Sequence, residues 1–283
     1  MELVLSTYRW VGQPLSLALI GEIADSRIQK IEVSCAPGHF NYGSQEGIRD
    51  LSDWLRDHNV TLHSLHAPTE RESPTGRGGT PISISDPERV RRLDAVDEVK
   101  RAIDVAERIP FGYLVQHLAH GRQPLDSRRV DAAFNSLEHL VIFAKERGVT
   151  IALENTPGEL TSPEALVNFI RETHLNGLRF CFDIGHAHIE EGVASSFEIM
   201  RERIVTTHLH DNRGETDDHL LPYEGSIDWP NALKLLASTQ HSLPLVLELE
   251  ERSTGGPSMS QIHAAFNRLE EELGDEGTPT RDT

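Results

Sequence analysis

Eight short apolar runs alternating with eight longer amphipathic segments across 283 residues predict an α/β chain folded as a single (β/α)8 barrel. Three observations carry this expectation. The length suits one such barrel, which typically takes about 250 residues. The runs are rich in Val, Ile, Leu and Phe and are bounded by turn residues, as strands buried on both faces are. Ionisable residues stand at or just past the ends of six runs, where this fold places its chemistry.

The expected strands are 3–7, 30–35, 61–67, 113–118, 150–155, 178–184, 204–211 and 244–250. The expected helices are 14–25, 44–58, 86–108, 127–147, 161–173, 193–202, 229–239 and 257–272. Helix starts are marked by Asp86-Pro87, Ser162-Pro163 and Asp228-Trp229-Pro230, each a capping side chain next to a first-turn proline or one residue before it. The segment 68–85 reads as a long irregular loop whose Gly76–Thr80 stretch suits a flexible lid. It does not join a strand directly to a helix as a phosphate-binding loop must. The barrel is expected over 1–273, and 274–283 reads as a polar, frayed tail.

Hydrophobic residues are 37% and charged residues 25%, and no apolar run approaches the roughly 18 needed to cross a bilayer. With no secretion-signal pattern at the start, a cytoplasmic protein without a membrane partner is expected. Two cysteines, Cys35 and Cys181, cannot form a disulfide framework or a Cys-x-x-Cys centre, so any metal is expected on nitrogen and oxygen. The net charge is −18 and lysine occurs only at positions 30, 100, 145 and 234, which disfavours nucleic acid as a partner. Oligomeric state stays open, a homo-oligomer included.

The ionisable strand-end residues are His66, His117, Glu154, Asp183 with His186 just beyond, His208 and Glu248. Alternation along a strand places Glu154 with Ala152, Asp183 with Cys181 and Glu248 with Val246 on the inner face. Three carboxylates converging in a partly dry cup repel one another and lose hydration. A divalent cation would relieve both costs. Neutralisation by Arg213 or Arg252, or acids that simply face solvent, is the alternative.

The motifs LENTPG (153–158), FDIGHAH (182–188), HLHDN (208–212) and DDHLLPYEGSIDW (217–229) resemble those of the xylose isomerase-like TIM-barrel superfamily. That superfamily includes sugar isomerases and epimerases, hydroxypyruvate isomerases and endonuclease IV-type abasic-site nucleases. The resemblance implies a metal set of Glu154, Asp183, His208 and Glu248. This set is rich in carboxylate and free of sulfur, which suits manganese first, with magnesium, zinc or cobalt as alternatives. It also implies substrate contacts from His66, His117, His186 and Arg213, and proton transfer at carbon by Glu154 and Glu248 through a metal-stabilised cis-enediolate of a small sugar or sugar-derived ketose.

The nuclease branch of the superfamily implies further metal positions, for which His66, His117, His186, Asp217 and His219 supply the residue types. A phosphodiester hydrolase at abasic DNA is therefore one rival reading, and a non-catalytic barrel that binds a ligand or partner subunit is another. Among the remaining histidines, His63 has the opposite parity to His66 and is expected behind the barrel wall. His120, His188 and His210 are either orienting groups or loop residues. His39, His58, His139, His174, His241 and His263 are expected in solvent, and Trp10 and Phe40 either wall the pocket or pack the core.

Overall fold

The computed structural model describes residues 1–24, 26–72, 79–119, 121–251 and 255–275. Eight parallel strands form a nearly closed barrel: β1 (Leu3–Ser6), β2 (Lys30–Ser34), β3 (Thr61–His66), β6 (Tyr113–Gln116), β7 (Thr150–Glu154), β8 (Arg179–Asp183), β9 (Ile204–His208) and β10 (Leu245–Leu247). In space the order follows the chain, with β10 returning to pair with β1. Leu209 closes the ring on the other side of β10, its amide donating to Val246 O at 2.8 Å while Glu248 N donates back to Leu209 O at 3.2 Å. This closure sets Glu248 on the rim beside the end of β9.

Strand β8 shows how sequence period becomes geometry. Its residues Phe180 and Phe182 point outward into the helix layer, whereas Cys181 joins Val115 and Ala152 in a small apolar cluster inside the barrel. The outer core is the larger one, with Phe197, Trp229 and Phe266 at or near zero exposure against the strands. Each such side chain stabilises the fold by about 1.5–3 kcal/mol through burial.

Helices α1 (Leu17–Ala24), α2 (Gln45–Asp57), α3 (Arg89–Asp104), α4 (Ser127–Lys145), α5 (Pro163–Thr173), α7 (Val193–Met200), α8 (Trp229–Ala237) and α9 (Met259–Asp275) lie where the amphipathic segments predict them. Ser162 Oγ accepts from Ala165 N and Asp228 Oδ1 from Asn231 N, so both expected caps are made. Among the described residues, no helix is long and apolar enough to cross a membrane.

Several expectations need correction. Asp86 does not cap α3: its Oδ1 accepts from Glu88 N, and Glu88 in turn caps the helix through Val90 N and Arg91 N. The loop 68–85 contains a two-stranded antiparallel hairpin, β4 (Glu70–Glu72) and β5 (Gly79–Pro81), too polar to read as strand. Of its lid residues, Gly76, Arg77 and Gly78 lie outside the described residues, as do His120, Arg252 and positions 276–283. Gly274 and Asp275, expected in the tail, belong to α9. A short helix, α6 (Ile184–Ile189), follows β8 directly and was hidden by its two histidines and a glycine.

Two bulges also shift side chains. The register of β2 on β3 passes from Ile31↔Leu62 to Glu32↔Ser64, which leaves His63 as the extra residue. His63 therefore turns into the barrel, its Nε2 3.2 Å from Thr206 Oγ1, and does not pack behind the wall. A matching shift between Phe180 and Cys181 makes Val205 the extra residue of β9, and below it Asp183 pairs with His208. Trp10 and Phe40 both belong to the core. His39 is buried instead of solvated, with Nδ1 2.7 Å from Gln13 O and Nε2 3.0 Å from Thr7 Oγ1.

Candidate active site

The carboxyl ends of the strands surround a cavity of about 140 Å3 whose lining includes Tyr8, His66, His117, Glu154, His186 and Glu248. Glu154, the last residue of β7, lies at its centre with only 1% exposure. Its Oε2 is 2.9 Å from His117 Nε2 and 3.3 Å from His66 Nε2. Its Oε1 is 3.1 Å from His208 Nδ1 and 3.4 Å from His186 Nδ1. Burial raises the pKa of this carboxyl, but His208 and His117 outweigh it and hold Glu154 ionised well below the usual range.

Asp183 serves two structures at once. As the N-cap of α6 its Oδ1 accepts from His186 N at 2.7 Å, and the same carboxylate lies 3.1–3.2 Å from His210 Nε2. Asn155 locks the strand end, its Oδ1 accepting from Asp183 N and its Nδ2 donating to Asp183 O, both at 2.8 Å. The Asp183 carboxylate then stands 3.7 Å from His208 Nδ1, and Glu248 Oε2 stands 3.4 Å from the same nitrogen. Ligand atoms of Glu154, Asp183, His208 and Glu248 all lie within 4.8 Å of one another.

Three further groups meet the same measure: His66, His117 and Glu154; His186, His210, Asp217 and His219; and Glu154, Cys181 and His208. Asp217 Oδ2 lies 3.0 Å from His186 Nε2 and 3.2 Å from His219 Nε2. Both rings are anchored from behind, His186 Nδ1 at 3.0 Å from Asn155 O and His219 Nδ1 at 2.9 Å from Glu248 O. His66 repeats the arrangement, with Nδ1 3.0 Å from Ala67 O. A ring whose Nδ1–H is taken by a carbonyl presents a bare Nε2 to the cup, the orientation that metal-binding imidazoles use. His219 holds this pose with a left-handed backbone, φ 44°.

These observations fit a divalent cation. Anchored imidazoles and buried carboxylates converge, and the nearby Cys181 thiol is pushed far above its usual pKa by burial, which keeps it a neutral wall. Without a cation, protons do the compensating. Burial opposes charge on His66 and His219, yet Glu154 and Asp217 respectively raise both to about 9. Burial likewise opposes charge on His186 and His208, and their carboxylate neighbours lift both well above the ordinary value.

The loop carrying Asp217 is tied down by Asp211, which sequence reasoning passed over. Its Oδ1 accepts from Asn212 N and Ile227 N, and its Oδ2 accepts from Trp229 Nε1 at 2.8 Å. Arg213 is not brought to the cup: it is 64% exposed, with Nη1 3.7 Å from Asp218 Oδ2. His188 also stays outside, Nε2 2.9 Å from Ser226 Oγ. His210, by contrast, is fully buried between Asp183 and a stacked His219, ring centroids 4.0 Å apart.

Gly185 makes room for His210. A Cβ there would overlap the imidazole at Cε1 and Nδ1, and the buried ring has no free direction in which to retreat. Gly185→Ala is expected to push His210 off Asp183 and to weaken cation binding by about tenfold, as loss of an orienting partner does. Titration of the chelator-treated variant with manganese checks this, and unchanged affinity would show that His210 does not orient Asp183.

The comparisons with known proteins come down on the same fold. At 30% identity over 225 residues, the chain resembles an uncharacterized protein of Methanocaldococcus jannaschii, covering 76% of this chain and 72% of that protein. A second uncharacterized protein of the same organism is 26% identical over 240 residues, covering 83% and 87%. Among solved structures, a D-tagatose 3-epimerase-like protein superposes with a TM-score of 0.78 at 24% identity, covering 96% of this chain and all of the other. An L-ribulose 3-epimerase superposes with a TM-score of 0.75 at 15% identity over the full length of both chains. Such identities establish shared architecture. The family described as xylose isomerase-like TIM barrel matches over residues 22–272, nearly the whole barrel, and the chain belongs to that family.

Proposed function

We propose that the protein is a divalent-metal-dependent isomerase or epimerase of a small sugar or sugar-derived ketose. The observation that carries this reading is the buried quartet of Glu154, Asp183, His208 and Glu248 at the floor of a cavity sized for a small polyol. The sugar epimerases among its structural neighbours support it at the level of class. A cation held by the quartet, manganese by preference for its oxygen-rich donors, would supply Lewis acidity at a carbonyl and an adjacent hydroxyl.

The chain's own residues do the rest. Glu154 and Glu248 reach the cavity from β7 and from the end of β10, and serve as the pair that removes and returns a proton at carbon. His186, His66 and His117 line the cavity with ring nitrogens for substrate hydroxyls. Apolar Val11, Cys35 and Ala67 line it too and limit water around the reacting carbon.

Incubating the protein with manganese and a panel of ketoses in deuterated water tests the reading. Solvent deuterium is expected at the carbon beside the carbonyl of recovered sugar. Absence of incorporation across the panel would overturn proton-transfer chemistry.

A second reading rests on two of the other donor groups, His66, His117 and Glu154, and His186, His210, Asp217 and His219. Together with the quartet they could hold up to three cations, as a phosphodiester hydrolase of this superfamily would require. The net charge of −18 weighs against a DNA substrate. Two or more tightly held zinc ions per chain, with cleavage of duplex DNA at an abasic site, would decide for hydrolysis.

A further inference from the structure

Among the described residues, Glu32 is the one buried carboxylate at the floor of the barrel that the proposed chemistry does not use. It sits in the middle of β2, fully shielded from solvent, where no strand-end rule would look for it. Ser64 Oγ donates to its Oε2 at 2.7 Å. Its Oε1 and Oε2 lie 3.1 and 3.3 Å from His208 Nε2. The other nitrogen of that ring, Nδ1, faces Glu154, Glu248 and Asp183 at 3.1, 3.4 and 3.7 Å.

We infer that Glu32 is a positioning residue that acts through His208. It accepts the Nε2 proton and so reserves Nδ1 for the cation. The inference deepens the metal reading above and rests on it. Three features support the role. Inside the barrel, neither the apolar cluster of Val115, Ala152 and Cys181 nor the hydroxyls of the register partners Ser6 and Ser64 call for a full negative charge, and burying one is costly. Ser64, one strand away, fixes the carboxylate before His208 reaches it, and this makes the acceptor rigid. The ring is further held by His66, nearly parallel to it at 5.9 Å.

His208 thus differs from the other anchored imidazoles. They give one proton to backbone carbonyls, whereas it gives one to a full negative charge, the arrangement that makes a ligating imidazole more electron-rich. Glutamine at position 32 keeps an acceptor for Nε2–H and removes the charge. Methionine removes both.

The experiment is a cobalt titration of the chelator-treated wild type, Glu32→Gln and Glu32→Met, read by visible absorption, with thermal melts of each metal-free protein alongside. Affinity is expected to fall about tenfold in the glutamine variant and about a hundredfold in the methionine variant, with an altered cobalt spectrum in the latter. Equal affinity and spectrum in all three would overturn the inference while leaving the metal reading intact, even if the melts moved. A wild type that binds no cobalt would overturn both. Should Glu32→Met fail to fold, Glu32→Gln carries the comparison, and its unchanged affinity would overturn the inference.

Discussion

Glu154→Gln is expected to lower kcat/KM by on the order of 10^3–10^4-fold, because one substitution removes a proton-transfer group and a charge on which four imidazoles converge. The amide would also point a donor at rings that already carry protons. Leaving His66, His186 and His208 without that counter-charge is expected to cost the metal-free fold about 3 kcal/mol, the scale of a broken buried ion pair. Turnover, metal content and urea melts of the variant check the three parts together. Wild-type activity in a correctly folded variant would remove Glu154 from the chemistry and return the site to a binding role.

The second large effect is a pH dependence that a cation abolishes. His66 and His219 have pKa values raised from 6.5 to about 9. Groups of this kind stabilise the fold fully below about pH 6.5 and lose the contribution as pH rises through about 9. The lowered carboxylates work in the opposite sense: Glu32, held at about 2, contributes above pH 4.5 and loses its contribution as pH falls toward 2. Metal-free protein is therefore expected to be most stable between these limits and to lose roughly 5 °C or more in Tm from pH 6.5 to 9.5. A cation on the quartet neutralises Glu154 and Glu248, which help to raise His66 and His219, so manganese-loaded protein depends less on the imidazole protons and is expected to hold its Tm over that interval. Affinity for the cation should rise about tenfold per pH unit for each proton displaced. Melts with chelator and with manganese across the pH series measure both, and a flat chelator curve would show that the imidazoles are not charged in the free site.

Much of this cup was legible because its residues end strands. Period-2 alternation and the habit of barrels to build chemistry at one rim are enough to gather His66, His117, Glu154, Asp183, His208 and Glu248 from sequence. Glu32 escaped because it lies mid-strand, although its isolation in KIEVS, with Lys30 and Ser34 on the same face, was a usable signal. His63 escaped for a different reason: a bulge inverts parity, and nothing in composition announces a bulge. Arg213 was inferred from resemblance alone, and resemblance does not specify which way a loop side chain turns. Asp211 and Asn155 belonged to recognised motifs, but the bonds that tie down Ile227, Trp229 and Asp183 reach 16 to 28 residues along the chain and are visible only once it has folded.

The left-handed backbone at His219 sets folding against chemistry at one position. Glycine or asparagine would occupy that φ with less steric conflict than a bulky ring does. Above about pH 9, where the ring has lost its proton and with it the pairing to Asp217, variants chosen only for resistance to heat should therefore drift away from imidazole at this point, and a library screened there for ruggedness would discard a donor that one screened for turnover keeps.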